Sequence, residues 1–325
     1  MAAFLDLLLF LGSLALTLTA AAFFARRLDR VGLHLGLPET VLGLLTALAA
    51  DAPEVSSAVA ALIKGNHDVG VGVVVGSNVF NLAAMVGFSA ILCGGIKLRR
   101  EALAVEGVVG VAVTVIVGAL LLTLLGPWSA LVLLAVVLVP YVTLLSLGPA
   151  RAPRPFLRFF GELHRPDHRL AHGETVLVPA LTLVPAIAVI IVGSTGMVEA
   201  ALNLGQRWSI PDVIVGVLVL AVLTSIPNAY TAARLAFQRR GSAVVSETLN
   251  SNTANLVFGV SIPALFVGLG SAGALARFDV AWLLLTTVVV IALLARRAGV
   301  GKSAGLAILA LYAVFVAVQI AAASG

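Results

Sequence analysis

Ten long apolar stretches, separated by short polar connections, run the length of the chain at about 3–25, 38–64, 68–93, 101–125, 128–147, 174–203, 210–238, 242–269, 278–296 and 302–323. A helix needs about 20 such residues to cross the hydrocarbon of a bilayer, so the pattern predicts an all-α polytopic membrane protein of ten transmembrane helices. The stretches fall into five, a polar connector at 148–172, and five more, dividing the chain into one unit at 1–147 and a second at 173–325. With an odd number of spans per unit, the second enters the membrane upside down relative to the first. The expected architecture is therefore two inverted five-helix repeats.

Polar residues interrupt the second, third, seventh and eighth stretches in matching order. Leu48-Ala49-Ala50-Asp51-Ala52-Pro53-Glu54 leads on to Val75-Gly76-Ser77-Asn78-Val79-Phe80-Asn81. Val222-Leu223-Thr224-Ser225-Ile226-Pro227-Asn228 leads on to Leu249-Asn250-Ser251-Asn252-Thr253-Ala254-Asn255. Pro53 and Pro227, Ser77 and Ser251, Asn78 and Asn252, and Asn81 and Asn255 all lie 174 residues apart. Four coincidences at one offset mark an internal repeat. Helices 2 and 7 are expected to be broken at their prolines, and interruptions paired in this way point to a transporter's binding site.

Composition agrees with this class. The chain is 61% hydrophobic and 11% charged with a mean hydropathy of +1.12, whereas an ordinary soluble domain carries about 25% charged residues. The net charge of +5 is scattered between the apolar runs, so the expected partner is the lipid bilayer and not nucleic acid. Alternate connections hold the basic residues: Arg26, Arg27 and Arg30; Lys97, Arg99 and Arg100; five arginines between 151 and 169; Arg239 and Arg240; and Arg296, Arg297 and Lys302. The opposite set holds only Lys64, Arg207 and Arg277. The positive-inside rule then places both termini on the non-cytoplasmic side, in the plasma (inner) membrane.

The connector 148–172 reads as a solvated basic loop, with a position on the anionic inner leaflet as the alternative. His164, His168 and His172 within it are four apart and would share a helical face, a candidate regulatory metal or pH sensor. Cys93 stands alone, which excludes an internal disulfide and a thiolate metal site. The start, Met1 to Asp6, lacks the basic residues of a cleaved signal and reads as part of the first span. Gly70, Gly72 and Gly76 allow close helix approach and are expected to bring Ser77 and Asn81 near the second span.

The chemistry gathers at the two interruptions. Pro53 has no N–H to give the carbonyl of Ala49, nor Pro227 that of Leu223. Each break leaves oxygens unpaired and a partly negative helix end deep in the membrane, and a cation gains from both. Asp51 and Glu54, three apart, share one helical face. No lysine or arginine lies at comparable depth, so their charge must be balanced by a bound cation or removed by protonation. Asn78, Asn81, Asn252 and Asn255, with Ser77, Ser251, Thr224, Ser225 and Asn228, supply neutral oxygens. That inventory reaches the six to eight oxygen ligands that calcium takes. Of the remaining acids, Glu247 reads either as a vestibule or proton-relay group or as a side chain snorkelling to the interface. Glu106 and Glu199, closer to span ends, are expected at the interface.

Gly43-x-x-x-Ala47 through Pro53-Glu54, followed by Gly76-Ser77-Asn78-x-x-Asn81, resembles the first alpha repeat of the sodium/calcium exchanger family, within the cation/calcium antiporter superfamily. Thr224-Ser225-x-Pro227 and Ser251-Asn252-x-x-Asn255 look like its second. The motifs would occupy about 39–92 and 211–267. The resemblance implies alternating access, with substrate cations, calcium and/or sodium, held at the repeat interface and no cofactor. It implies ion-binding roles for Glu54, Ser77, Asn81, Thr224, Ser225 and Ser251, and for backbone carbonyls near Ala47 and Ala221.

The departures concern charge. Ala50-Asp51 stands where the family usually has Thr-Ser, Asn228 where it has a glutamate after the proline, and Asn255 where many members carry an aspartate. Asp51 is therefore read as a relocated carboxylate that restores the charge Asn228 lacks, and both residues join the candidate site with Asn255. Two acids match one divalent ion, or two monovalent ions or protons, and suit several sodium ions less well. The expected function is a cation antiporter of altered ion preference or coupling. A proton-coupled calcium or other cation exchanger is the alternative, and an uncoupled channel-like or sensory membrane protein is the reading from another class. With no nucleotide loop and no nucleophile–base pair in the sequence, an enzyme is not expected.

Overall fold

The computed structural model describes residues 2–35, 37, 39–96, 100–151, 177–270, 273–296 and 299–324. The connector histidines, His164, His168 and His172, lie outside the described residues. Helices make up nearly all of what is described: α1 (Ala2–His34), α2 (Glu39–Ala50), α3 (Ala52–Ile63), α4 (His67–Cys93), α5 (Arg100–Leu121), α6 (Pro127–Arg151) and α7 (Leu177–Arg207). They continue with α8 (Asp212–Thr224), α9 (Ile226–Phe237), α10 (Gly241–Leu256), α11 (Ala274–Leu294) and α12 (Lys302–Ser324). An isolated β-bridge, Ile96 to Val300, ties the segment before α5 to the segment before α12.

Each of the ten apolar stretches is helical over most of its described length. Seven helices are long and apolar enough to cross a membrane, or eight when the bent pair α8–α9 counts as one span. The stretches that fall short are those at 38–64 and 242–269. The first is cut into α2 and α3 at Asp51, and the second is rich in Ser, Thr and Asn. The pieces are short: α2 and α3 have 12 residues each and α10 has 16.

The breaks have the same local cause in both halves. Pro53 and Pro227 each sit at the second position of a new helix, where a missing N–H costs nothing. The residue joining the two pieces is Asp51 in one case (φ −78°, ψ −5°) and Ser225 in the other (φ −83°, ψ 0°). At Ser225 the axis bends by 44°. Wider π-helical turns follow the asparagines, at Leu82–Phe88 within α4 and at Val257–Ser261 after α10, and a third occupies Val215–Leu220 of α8. Such turns are frequent at functional sites.

α4 is the central element, buried along nearly its whole length, while α1, α6 and α12 present wide apolar faces such as Leu8, Leu11, Val136, Val139 and Leu306. Apolar faces of this extent suit a lipid environment. The glycines of α4 divide their work. Gly70 meets α3, where an added Cβ would lie 2.6 Å from Leu62 Cγ. Gly72 and Gly76 instead meet α8, and a Cβ on Gly76 would lie 2.3 Å from the carbonyl oxygen of Val217. Gly216 of α8 returns the contact, its Cβ position being 2.6 Å from the Val69 oxygen. The expectation that these glycines serve the second span therefore holds for Gly70 alone. The other two press the third stretch onto the broken helix of the opposite half.

Candidate cation site

The two helix breaks and the polar faces of α4 and α10 meet in one buried network. Asp51 and Glu54 are completely buried, as are Ser77, Asn81, Thr224, Ser225 and Asn255, and Asn228 and Ser251 are 1% exposed. The amide of Asn228 donates to Asp51 Oδ1 at 2.8 Å and to Glu54 Oε1 at 2.9 Å. Ser251 donates its hydroxyl to Asp51 Oδ1 at 2.5 Å, and Ser225 donates to Glu54 Oε1 at 2.9 Å. Both acids come from the first half and all their side-chain donors from the second. Asn228 is thus a donor to the carboxylates through its nitrogen, not an oxygen pointed alongside them.

Asn81 extends the network by donating to Ser251 Oγ at 3.3 Å and to Asn252 Oδ1 at 3.4 Å. Asn78 donates to the carbonyl oxygen of Asn252 at 3.1 Å, and Asn252 returns the bond to the carbonyl of Asn78 at the same 3.1 Å. Asn255 then donates to Asn78 Oδ1 at 3.3 Å. On the other side, Ser77 donates to the carbonyl of Ala221 at 3.4 Å. Thr224 bonds back to its own helix, at 2.8 Å to Leu220 O and 3.3 Å to Ala221 O. The Ala221 carbonyl also takes the helical N–H of Ser225 at 3.2 Å, whereas that of Ala47 takes only the N–H of Asp51 at 3.0 Å. Of the two carbonyls, Ala47 keeps more freedom to accept a further partner.

Four oxygens of this network have no hydrogen-bond partner: Asp51 Oδ2, Glu54 Oε2, Asn81 Oδ1 and Asn255 Oδ1. Two are acidic, and two belong to asparagines related by the 174-residue offset. Leaving such acceptors bare in an apolar interior is expensive, and nothing among the described residues donates to them. Among the described residues no Lys or Arg pairs with either acid, and no three His, Cys, Asp or Glu gather to hold a metal. A hard cation here would be held by two carboxylates and neutral oxygens, a donor set that suits calcium or sodium.

Outside the network, Glu106 is packed inside the protein: it is 3% exposed and accepts a hydrogen bond from Ser246 at 2.5 Å. It lies six residues into α5 but faces α10, and Tyr141 of α6, bonded to Asn250 at 2.7 Å, helps close it in. Glu199 does lie on an exposed surface, paired with Lys64 at 2.8 Å. Sequence reasoning passed over Asp279, which is 4% exposed and accepts from the buried Gln319 of α12. The signal was a single acid and a single glutamine in otherwise apolar helices.

A nearly all-helical chain with lipid-suited outer faces and a sealed pair of acids between two broken helices is an integral membrane protein of the transporter class. It belongs to the sodium/calcium exchanger protein family, whose sequence model matches residues 5–146 and 178–321. It is similar to the sodium/calcium exchanger MaX1 of Methanosarcina acetivorans, at 23% identity over 298 residues, covering 82% of this chain and 84% of that protein. A shorter likeness, 29% over 84 residues, links it to CaxA of Alkalimonas amylolytica, and there the chain covers 26% of the relative's length. Among solved structures it resembles the sodium-calcium exchanger NCX_Mj soaked with 2.5 mM Na+ and 10 mM Sr2+. The TM-score is 0.62 at 20% identity, covering 97% of this chain and 99% of that one.

Proposed function

We propose that this protein is a secondary-active cation antiporter, sodium/calcium-exchanger-like, that binds its cargo between the two proline breaks and exposes it alternately to either side. Ten spans in two inverted halves, with both termini outside the cytoplasm, are the arrangement this reading assumes. The observation that carries it is the set of four bare, buried oxygens on Asp51, Glu54, Asn81 and Asn255. A cation is the one partner that suits all four together, because it needs no donor geometry from the protein. The family's exchangers and the similarity to MaX1 favour calcium and sodium as cargo.

Charge sets the expected departure from the family. Two carboxylates neutralise one divalent ion, or two monovalent ions or protons, and Asn228 and Asn255 add none. The reading is therefore of altered ion preference or stoichiometry, with exchange of one divalent ion for two single charges as its natural form. Proton coupling is favoured as the second reading by the shared Asn228 contact, which sets the two acids side by side. Flux in proteoliposomes tests these, with calcium, magnesium, manganese, sodium, potassium and protons varied singly, on wild type and Asn228→Glu. An antiporter moves labelled ion faster against a counter-ion on the far side, whereas a channel does not. Uptake indifferent to every counter-ion would end the antiporter reading.

A further inference from the structure

Glu247 is the one acid of α9 and α10, and binding at the central pair leaves it without a task. It lies four residues before Ser251, so the two share a face of α10 one turn apart. Ser251 is bonded to Asp51 at 2.5 Å, which places Glu247 a turn away from Asp51 toward Gly241 and the Arg239–Arg240 connection. Its Oε2 is buried with no hydrogen-bond partner, and no cationic side chain among the described residues pairs with it. Glu247 is half-buried, whereas Asp51 and Glu54 are sealed. Along α10 it therefore lies between the Arg239–Arg240 connection and the closed site.

We propose that Glu247 is a way-station for the transported metal cation, receiving it from the face that bears Arg239 and Arg240 and handing it to Asp51 and Glu54. The inference rests on the cation-transport reading of the central site. The acids do not gather closely enough to hold one ion in common, so Glu247 acts before or after the central pair and not alongside it. Such an arrangement answers a difficulty of deep sites. A cation bound by two buried carboxylates leaves slowly unless a second, weaker position lies within reach.

The test uses the full chain in proteoliposomes with labelled calcium supplied to one face at a time. Glu247→Gln should raise the half-saturating calcium concentration at least tenfold on the Arg239–Arg240 face, with turnover at saturation and the opposite face changed less than twofold. Glu247→Asp, which keeps the charge, should recover to within threefold of wild type. In a Cys93→Ala background, Glu247→Cys should react with a membrane-impermeant thiol reagent from the same face, more slowly when calcium is present. Unchanged half-saturation on both faces, or an unreactive Glu247→Cys, overturns the way-station. If instead Asp51→Asn and Glu54→Gln carry calcium as well as wild type does, the central-site reading has failed first.

Discussion

Asn228→Ala probes the site through its own hydrogen bonds. The Asn228 amide serves Asp51 at 2.8 Å and Glu54 at 2.9 Å, and among the described residues no other side chain donates to both acids. Hydrogen bonds to charged groups are each worth about 1.5–3 kcal/mol, so losing the pair withdraws about 3–6 kcal/mol from the cation-free protein. With a cation between the carboxylates most of that loss vanishes, because they have another partner. The variant should therefore be much less stable than wild type in chelator, yet gain more from added ion. By linkage, a ligand at a hundred times its dissociation constant stabilises by about 2.7 kcal/mol, so a difference of this size is measurable within an accessible range of calcium or sodium. Thermal unfolding in detergent, followed by the fluorescence of Trp128, Trp208 and Trp282, gives both quantities. If the chelated variant melts with wild type, or ions raise both equally, the amide is not holding the acids in place of a cation.

Three further outcomes bear on the same structure. Asp51→Asn and Glu54→Gln should each lower transport of divalent ions by more than a hundredfold in proteoliposome flux. Loss in Glu54→Gln alone would show that Asp51 does not stand in for a second-half acid. Gly76→Val should abolish folded expression, measured by size-exclusion recovery, because even its Cβ would fall 2.3 Å from the Val217 carbonyl oxygen, which belongs to backbone that cannot yield. Glu106→Gln keeps an acceptor for Ser246 and should cost less than about 1 kcal/mol in thermal unfolding, while Glu106→Leu leaves that hydroxyl without its acceptor and should cost more.

The apolar pattern and the 174-residue offset made the helical class, the breaks at Pro53 and Pro227, and the polar residues that gather in the buried network legible in the sequence. Breaks are legible because proline chemistry is local, and the site because polar groups are rare in apolar helices. Rotation about a helix was harder to read. Gly72 and Gly76 face α8 and not α3, since a small-residue stripe says that something comes close without saying what. The burial of Glu106 was also out of reach, because it depends on what stands beside it, here Ser246 and Tyr141. The role of Asn228 as donor was likewise beyond reach, because a side-chain amide offers both polarities and only its neighbours decide which is used.

The bonds exchanged between Asn78 and Asn252 constrain how the two halves can move. Each residue gives its amide to the other's backbone at an identical 3.1 Å, so the contact is its own mirror partner. Pulling α4 from α10 would sever both links together, whereas a tilt about the line through them would strain neither. Under the proposed alternating access, the asparagines would act as the pin of a rocker, and groups offset from that pin, the acids of α2–α3 among them, would travel farthest.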